Sequence, residues 1–125
     1  MSREKTKVLV IDDESDYTDL VVLNLIDKGY DAEALNDGTL AVEKAREYEP
    51  DVILLDMIMP KIDGGDVLGN LKRIPELSRI PVLFVSALGD EGQNDDTGII
   101  PKPTSFEYLV KRIEGAIDTE HDWKE

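Results

Sequence analysis

Val52-Ile53-Leu54-Leu55-Asp56-Met57-Ile58-Met59-Pro60 is the stretch whose reading decides the fold. Four apolar, mostly branched residues in a row read as a strand buried on both faces, as in the middle of a parallel sheet. A single acid, Asp56, stands at its end. Beyond it, Pro60, Asp63, Gly64 and Gly65 predict an irregular loop. In open parallel sheets the crevice beyond the carboxyl ends of the strands is where ligands sit. Asp56 is therefore either a site residue or a turn cap, and its company decides between them.

Working outward, Val8-Leu9-Val10-Ile11 is a second apolar run, ending in Asp12-Asp13-Glu14. Ile80-Pro81-Val82-Leu83-Phe84-Val85 is a third, ending at Ser86. Between these runs the apolar spacing predicts helices over 15–28, with Leu20, Val21, Leu23, Leu25 and Ile26 inward, and over 39–48 and 66–74. Gly29, Pro50 and Pro75 mark their ends. The alternation over 30–35 suits a less completely covered strand. Ile99-Ile100, followed by Pro101-Lys102-Pro103, suits a short edge strand, because proline cannot donate to a ladder. Thr104 with Glu107 makes a capping-box pattern before a last helix carrying Phe106, Leu109, Val110, Ile113 and Ile117. Residues 119–125 read as a polar tail. Five strand–helix alternations predict a doubly wound α/β fold, a five-stranded parallel sheet of flavodoxin-like order 2-1-3-4-5. The whole chain, 1–125, reads as one domain with its core over about 5–118.

There are no cysteines, which suits a reducing interior. No apolar run approaches membrane-spanning length, and the N-terminus is too polar for a signal peptide, so the expected location is cytoplasmic. The 28 acidic residues outnumber the 14 basic ones, for a formal net charge of -14. Such a surface repels nucleic-acid phosphates and anionic membranes and favours cations or basic protein partners. A salty host cytoplasm would select the same composition.

The predicted order brings Asp12, Asp13, Asp56, Ser86 and Lys102 to one rim. Converging carboxylates repel unless a cation is present, and an all-oxygen set with room for water suits Mg²⁺, with Mn²⁺ as a substitute. A carboxylate nucleophile, a divalent ion, a lysine and a hydroxyl are the parts of phosphoryl transfer.

At this point the chain resembles a known family, the receiver domains of two-component response regulators. The resemblance rests on Asp12-Asp13-Glu14, Asp56-Met57-Ile58-Met59-Pro60 with Gly64, Ser86-Ala87 and Lys102-Pro103, each just after a predicted strand. It implies that Asp56 accepts a phosphoryl group from a phosphohistidine on a sensor histidine kinase or phosphotransfer protein. Asp13, Asp56 and the backbone carbonyl of Ile58 would ligate Mg²⁺, with Asp12 reaching it through water. Lys102 would pair with phosphoryl oxygens, its bond to Pro103 would be cis, and Ser86 would bond the phosphoryl group as a switch. Chemistry would be confined to self-phosphorylation and self-dephosphorylation at Asp56, the latter slow because Ile58 and Leu88 are apolar.

The chain also departs from the family. Ile99 stands where receivers usually place the aromatic half of the switch. The segment from Ser86 to Lys102 is shorter by roughly six residues, nearly two helical turns. Gly89 to Asp96 is polar and glycine-containing, so the fourth helix is expected to be short, absent or mobile. That face commonly serves dimerisation and output, so the downstream protein partner is unknown and a monomer is one reading. A pseudo-receiver, kept only for protein contacts, is the alternative function. An aspartate-nucleophile phosphatase would want an acid at Ile58, and a nucleotide- or flavin-binding module would not open on Asp12-Asp13-Glu14.

Overall fold

The computed structural model describes residues 5–87 and 98–124. Its elements are β1 (Lys7–Ile11), α1 (Ser15–Asp27), β2 (Asp31–Leu35), a 3-10 turn (Gly38–Leu40) and α2 (Ala41–Tyr48). Then come β3 (Val52–Asp56), α3 (Gly64–Lys72), β4 (Val82–Ser86), β5 (Ile100–Pro101) and α4 (Phe106–Lys124). The strands form one sheet in the order β2-β1-β3-β4-β5, every pair parallel. This is the flavodoxin-like order read from the sequence.

Successive strand residues point to opposite faces, so the central strands feed two cores at once. Val8, Val10, Val52, Leu54, Val85 and Ile100 pack with Val21 and Leu25 of α1 and with Leu109 and Ile113 of α4. On the other face Leu9, Ile11, Ile53 and Leu55 pack with Ala41 and Ala45 of α2 and with Val67 and Leu71 of α3. β3 is buried along its whole length, which is why its sequence is continuously apolar up to Asp56. At the far edge β5 is two residues long and ends in Pro101.

The inward face of α1 differs from the expectation. Thr18, Val21 and Leu25 are buried, whereas Leu20, Leu23 and Ile26 are 59%, 66% and 49% exposed. Positions 18, 21 and 25 form one stripe at helical spacing, and 20 and 23 lie on the other side. Thr18 is affordable inside because its hydroxyl donates to the Ser15 carbonyl and accepts from the Asn36 amide.

α3 begins two residues early. The Asp63 side chain accepts the Asp66 N–H at 2.9 Å, a cap that outweighs the poor helix propensity of Gly64 and Gly65. The capping box at Thr104 is not formed: Ser105 is the cap, its Oγ accepting the Tyr108 N–H at 3.1 Å. Thr104 stands one residue too early. α4 continues to Lys124 through the segment read as a tail. That segment contains no glycine or proline, so polarity alone does not end a helix already propagating. The expected loss of the fourth helix falls on residues 88–97, outside those described.

Candidate functional site

β1, β3, β4 and β5 all end on one rim, and each carries a predicted residue there. β1 runs into Asp12, whose N–H continues the ladder to the Leu35 carbonyl at 3.0 Å. The Asn36 amide donates to the Asp12 carbonyl at 2.7 Å and to Thr18 Oγ1 at 3.0 Å, fixing the turn into α1. Asp56 ends β3. Ser86 ends β4 and is fully buried; its carbonyl accepts the Lys102 N–H at 3.1 Å. The Lys102–Pro103 peptide is cis. Ile99 is half-buried just before β5, and Ile58 stands exposed beside Asp56.

Asp12, Asp13 and Asp56 each offer a carboxylate oxygen, all within 4.8 Å of one another. Asp12 and Asp56 are buried and Asp13 is exposed. Lys102 Nζ donates to Asp12 Oδ2 at 2.8 Å, pairs with Glu14 Oε1 at 2.8 Å, and lies 3.8 Å from Asp56 Oδ2. Burial pushes the Asp56 pKa up, and the Asp12 carboxylate adds to the rise; Lys102 and the Ile58 N–H offset part of it, and Asp13 raises it further. Burial works against the charge of Lys102, but its bonds to Asp12 and Glu14 and the attraction of Asp12 and Asp56 outweigh that, so its pKa is raised. The rim thus holds four acids, Asp12, Asp13, Glu14 and Asp56, around one largely buried lysine, a hard-oxygen donor set with unneutralised charge that fits a small divalent cation.

The loop after Asp56 is held by a close approach. The Gly64 N–H donates to the Met57 carbonyl at 2.8 Å, and a Cβ on Gly64 would stand 2.7 Å from the Asp56 carbonyl oxygen and 2.8 Å from Met57 Cα. Both are backbone atoms that cannot swing aside. Gly64→Ala is expected to cost about 1–3 kcal/mol of stability as the loop shifts. An unchanged urea midpoint would show that the loop yields freely.

The family model for the response regulator receiver domain matches residues 8–114. The chain belongs to that family. This receiver is 37% identical over 113 residues to the DNA-binding dual master transcriptional regulator RpaA of Synechocystis sp., covering 86% of this chain and 47% of that protein. It is 34% identical over 118 residues to the transcriptional regulatory protein TrcR of Mycobacterium tuberculosis, covering 89% and 45%. The receiver thus spans about half the length of these curated relatives. The solved chemotaxis protein CheY4 of Vibrio cholerae superposes with a TM-score of 0.79 at 26% identity, covering 90% of this chain and 98% of that one. Receiver domains are phosphoacceptors that bind Mg²⁺ at an acidic pocket and interact with histidine kinases or phosphotransfer proteins. Among the described residues no helix is long and apolar enough to cross a membrane.

Two residues at the rim were not singled out by the sequence reading. In the sequence Glu14 reads only as part of an acidic signature, yet its carboxylate pairs with Lys102 at 2.8 Å. Tyr17 places its ring 4.6 Å from Lys102 Nζ. A tyrosine in a first helical turn carries no sequence mark of such a contact, because its partner lies 85 residues away.

The raised pKa of Asp56 has a direct consequence for stability without Mg²⁺. The folded chain binds this proton more tightly than the unfolded chain, so the contribution is present at low pH. It is lost as pH rises through the unfolded value towards the raised folded one. Asp56→Asn is therefore expected to raise the unfolding temperature in EDTA at neutral pH and to reduce the gain on adding Mg²⁺. A variant less stable than the wild type in EDTA would contradict this.

Proposed function

We propose that this receiver is a phosphoacceptor switch in which Asp56 takes a phosphoryl group from a phosphohistidine on a sensor kinase or phosphotransfer protein. The observation that carries the reading is a buried carboxylate at the end of the central strand, its charge disfavoured by burial and by Asp12, with Lys102 3.8 Å away. An Asp56 carboxylate oxygen forms a bond to phosphorus as the phosphorus–nitrogen bond of the phosphohistidine breaks. The freed imidazole nitrogen then takes up a proton. Lys102 stabilises the charge on the transferring oxygens. Asp13, Asp56 and the Ile58 carbonyl would hold Mg²⁺, with Asp12 acting through water, and the bound ion supplies further neutralisation of phosphoryl charge.

Ser86, buried at the end of β4, would hydrogen-bond the phosphoryl group, and Ile99 would follow it as the neighbouring switch position. The acyl phosphate returns to carboxylate by slow hydrolysis, since the Ile58 side chain cannot orient water. The described domain and its polar C-terminal end act as one receiver. The altered protein contacts would be read by a downstream partner, and the acidic surface disfavours direct contact with nucleic acid or an anionic membrane.

The test is intact mass after incubation with acetyl phosphate, with and without Mg²⁺, beside Asp56→Ala. A metal-dependent gain of one phosphoryl group, absent in the variant, is the expected result. No gain under any condition, or an equal gain in the variant, would overturn the proposal.

A further inference from the structure

Lys102 is held from two sides by different forces. Asp12 and Glu14 each stand 2.8 Å from its ammonium, while the face of Tyr17 lies 4.6 Å from it. The lysine side chain is 15% exposed, so the ring replaces water on that side. Two of the three ammonium N–H donors are directed to the carboxylates. The ring attracts the cation through its negative face and takes no donor in a fixed direction. Tyr17 is itself anchored: it lies in the first turn of α1 and packs on the core beneath the sheet rim. Burial, with Asp12 next, pushes its phenol up to about 12, so near neutral pH the ring is an uncharged platform.

This arrangement addresses a requirement of the proposed reaction. Lys102 is drawn towards Asp12 and Glu14 and lies beyond hydrogen-bond distance of Asp56, at 3.8 Å. To meet a phosphoryl oxygen at Asp56, the ammonium must re-aim its donors without drifting into solvent. A third carboxylate would hold it too firmly, and an aliphatic wall would not hold it at all.

We infer that Tyr17 is a positioning residue for phosphoryl transfer, its ring keeping the Lys102 ammonium at the cleft while leaving its donors free to turn towards Asp56. The inference deepens the phosphoacceptor reading and rests on it.

The test compares wild type, Tyr17→Phe and Tyr17→Leu in the full chain. Two readouts are taken: the rate of phosphoryl uptake from acetyl phosphate at saturating Mg²⁺, and the proton shifts of the Lys102 ε-methylene by NMR. Leucine keeps apolar bulk and loses the ring face; phenylalanine keeps the face and loses the hydroxyl. Tyr17→Leu is expected to slow uptake about tenfold, while Tyr17→Phe retains most of the wild-type rate. The ε-methylene protons should be shifted upfield by the ring in wild type and Tyr17→Phe, and not in Tyr17→Leu. A leucine variant as fast as wild type, a phenylalanine variant as slow as leucine, or no ring shift in wild type would each overturn the inference. A wild-type protein that takes up no phosphoryl group would count against the phosphoacceptor reading instead. The NMR shifts would then still decide whether the ring holds Lys102.

Discussion

Lys102→Met is expected to slow phosphoryl uptake at Asp56 by roughly a hundredfold or more while leaving Mg²⁺ binding at least as tight. Methionine keeps most of the side-chain length and its apolar stem. What is lost is the only cation near Asp56 among the described residues. Charge developing on the transferring oxygens would meet one fewer fixed positive group beside the buried Asp12 and Asp56 carboxylates, where such a group counts for more than in open water. Mg²⁺ binding should move the other way, because Lys102 occupies Asp12 Oδ2 at 2.8 Å and repels an incoming cation. Uptake kinetics by intact mass, beside a calorimetric Mg²⁺ titration, separate the two effects. A rate within about threefold of wild type would show that Lys102 does not stabilise the transfer.

Leu54→Ala should produce the largest loss of stability of any change considered for this chain, about 2–5 kcal/mol. Leu54 is 1% exposed at the centre of β3 and lies in register with Val10 on one side and Leu83 on the other. Truncating it leaves a cavity in the core shared by α1 and α4, between rigid strands that cannot close on it. Such a loss is a large share of the 5–15 kcal/mol that ordinarily holds a domain together. The control is Leu23→Ala on α1, where the side chain is 66% exposed and the expected change is under about 0.5 kcal/mol. Urea unfolding of the pair, at constant m-value, checks both. Equal losses would mean that the stripe of Thr18, Val21 and Leu25 is not what docks α1.

Those two leucines also show what could be read without coordinates. β3 announces itself because a strand buried on both faces has no polar positions to confuse the pattern, and its terminal acid is then placed by topology alone. The same holds for Asp12, Ser86 and Lys102, each following an apolar run. α1 was harder. Its thirteen residues include five aliphatic side chains besides Val22, spread around the axis, so counting apolar residues does not select a face. Thr18 is inside only because Ser15 and Asn36 satisfy its hydroxyl, a fact of two other segments. Ser105 and Thr104 are both competent caps, and one residue of chain path decides between them. The roles of Glu14 and Tyr17 at Lys102 are long-range contacts that periodicity cannot encode.

The ends of the sheet have a consequence for crowded conditions. An open strand edge is a template on which another chain can add, the first step towards aggregates and fibrils. On one side this sheet ends in β5, two residues long, with Pro101 lacking an N–H to offer. On the other side β2 carries Asp31 and Glu33 within a chain of net charge -14. A second copy approaching the first edge finds almost no ladder to extend, and one approaching the second meets its own sign of charge. Among the described residues both edges thus disfavour strand addition between copies.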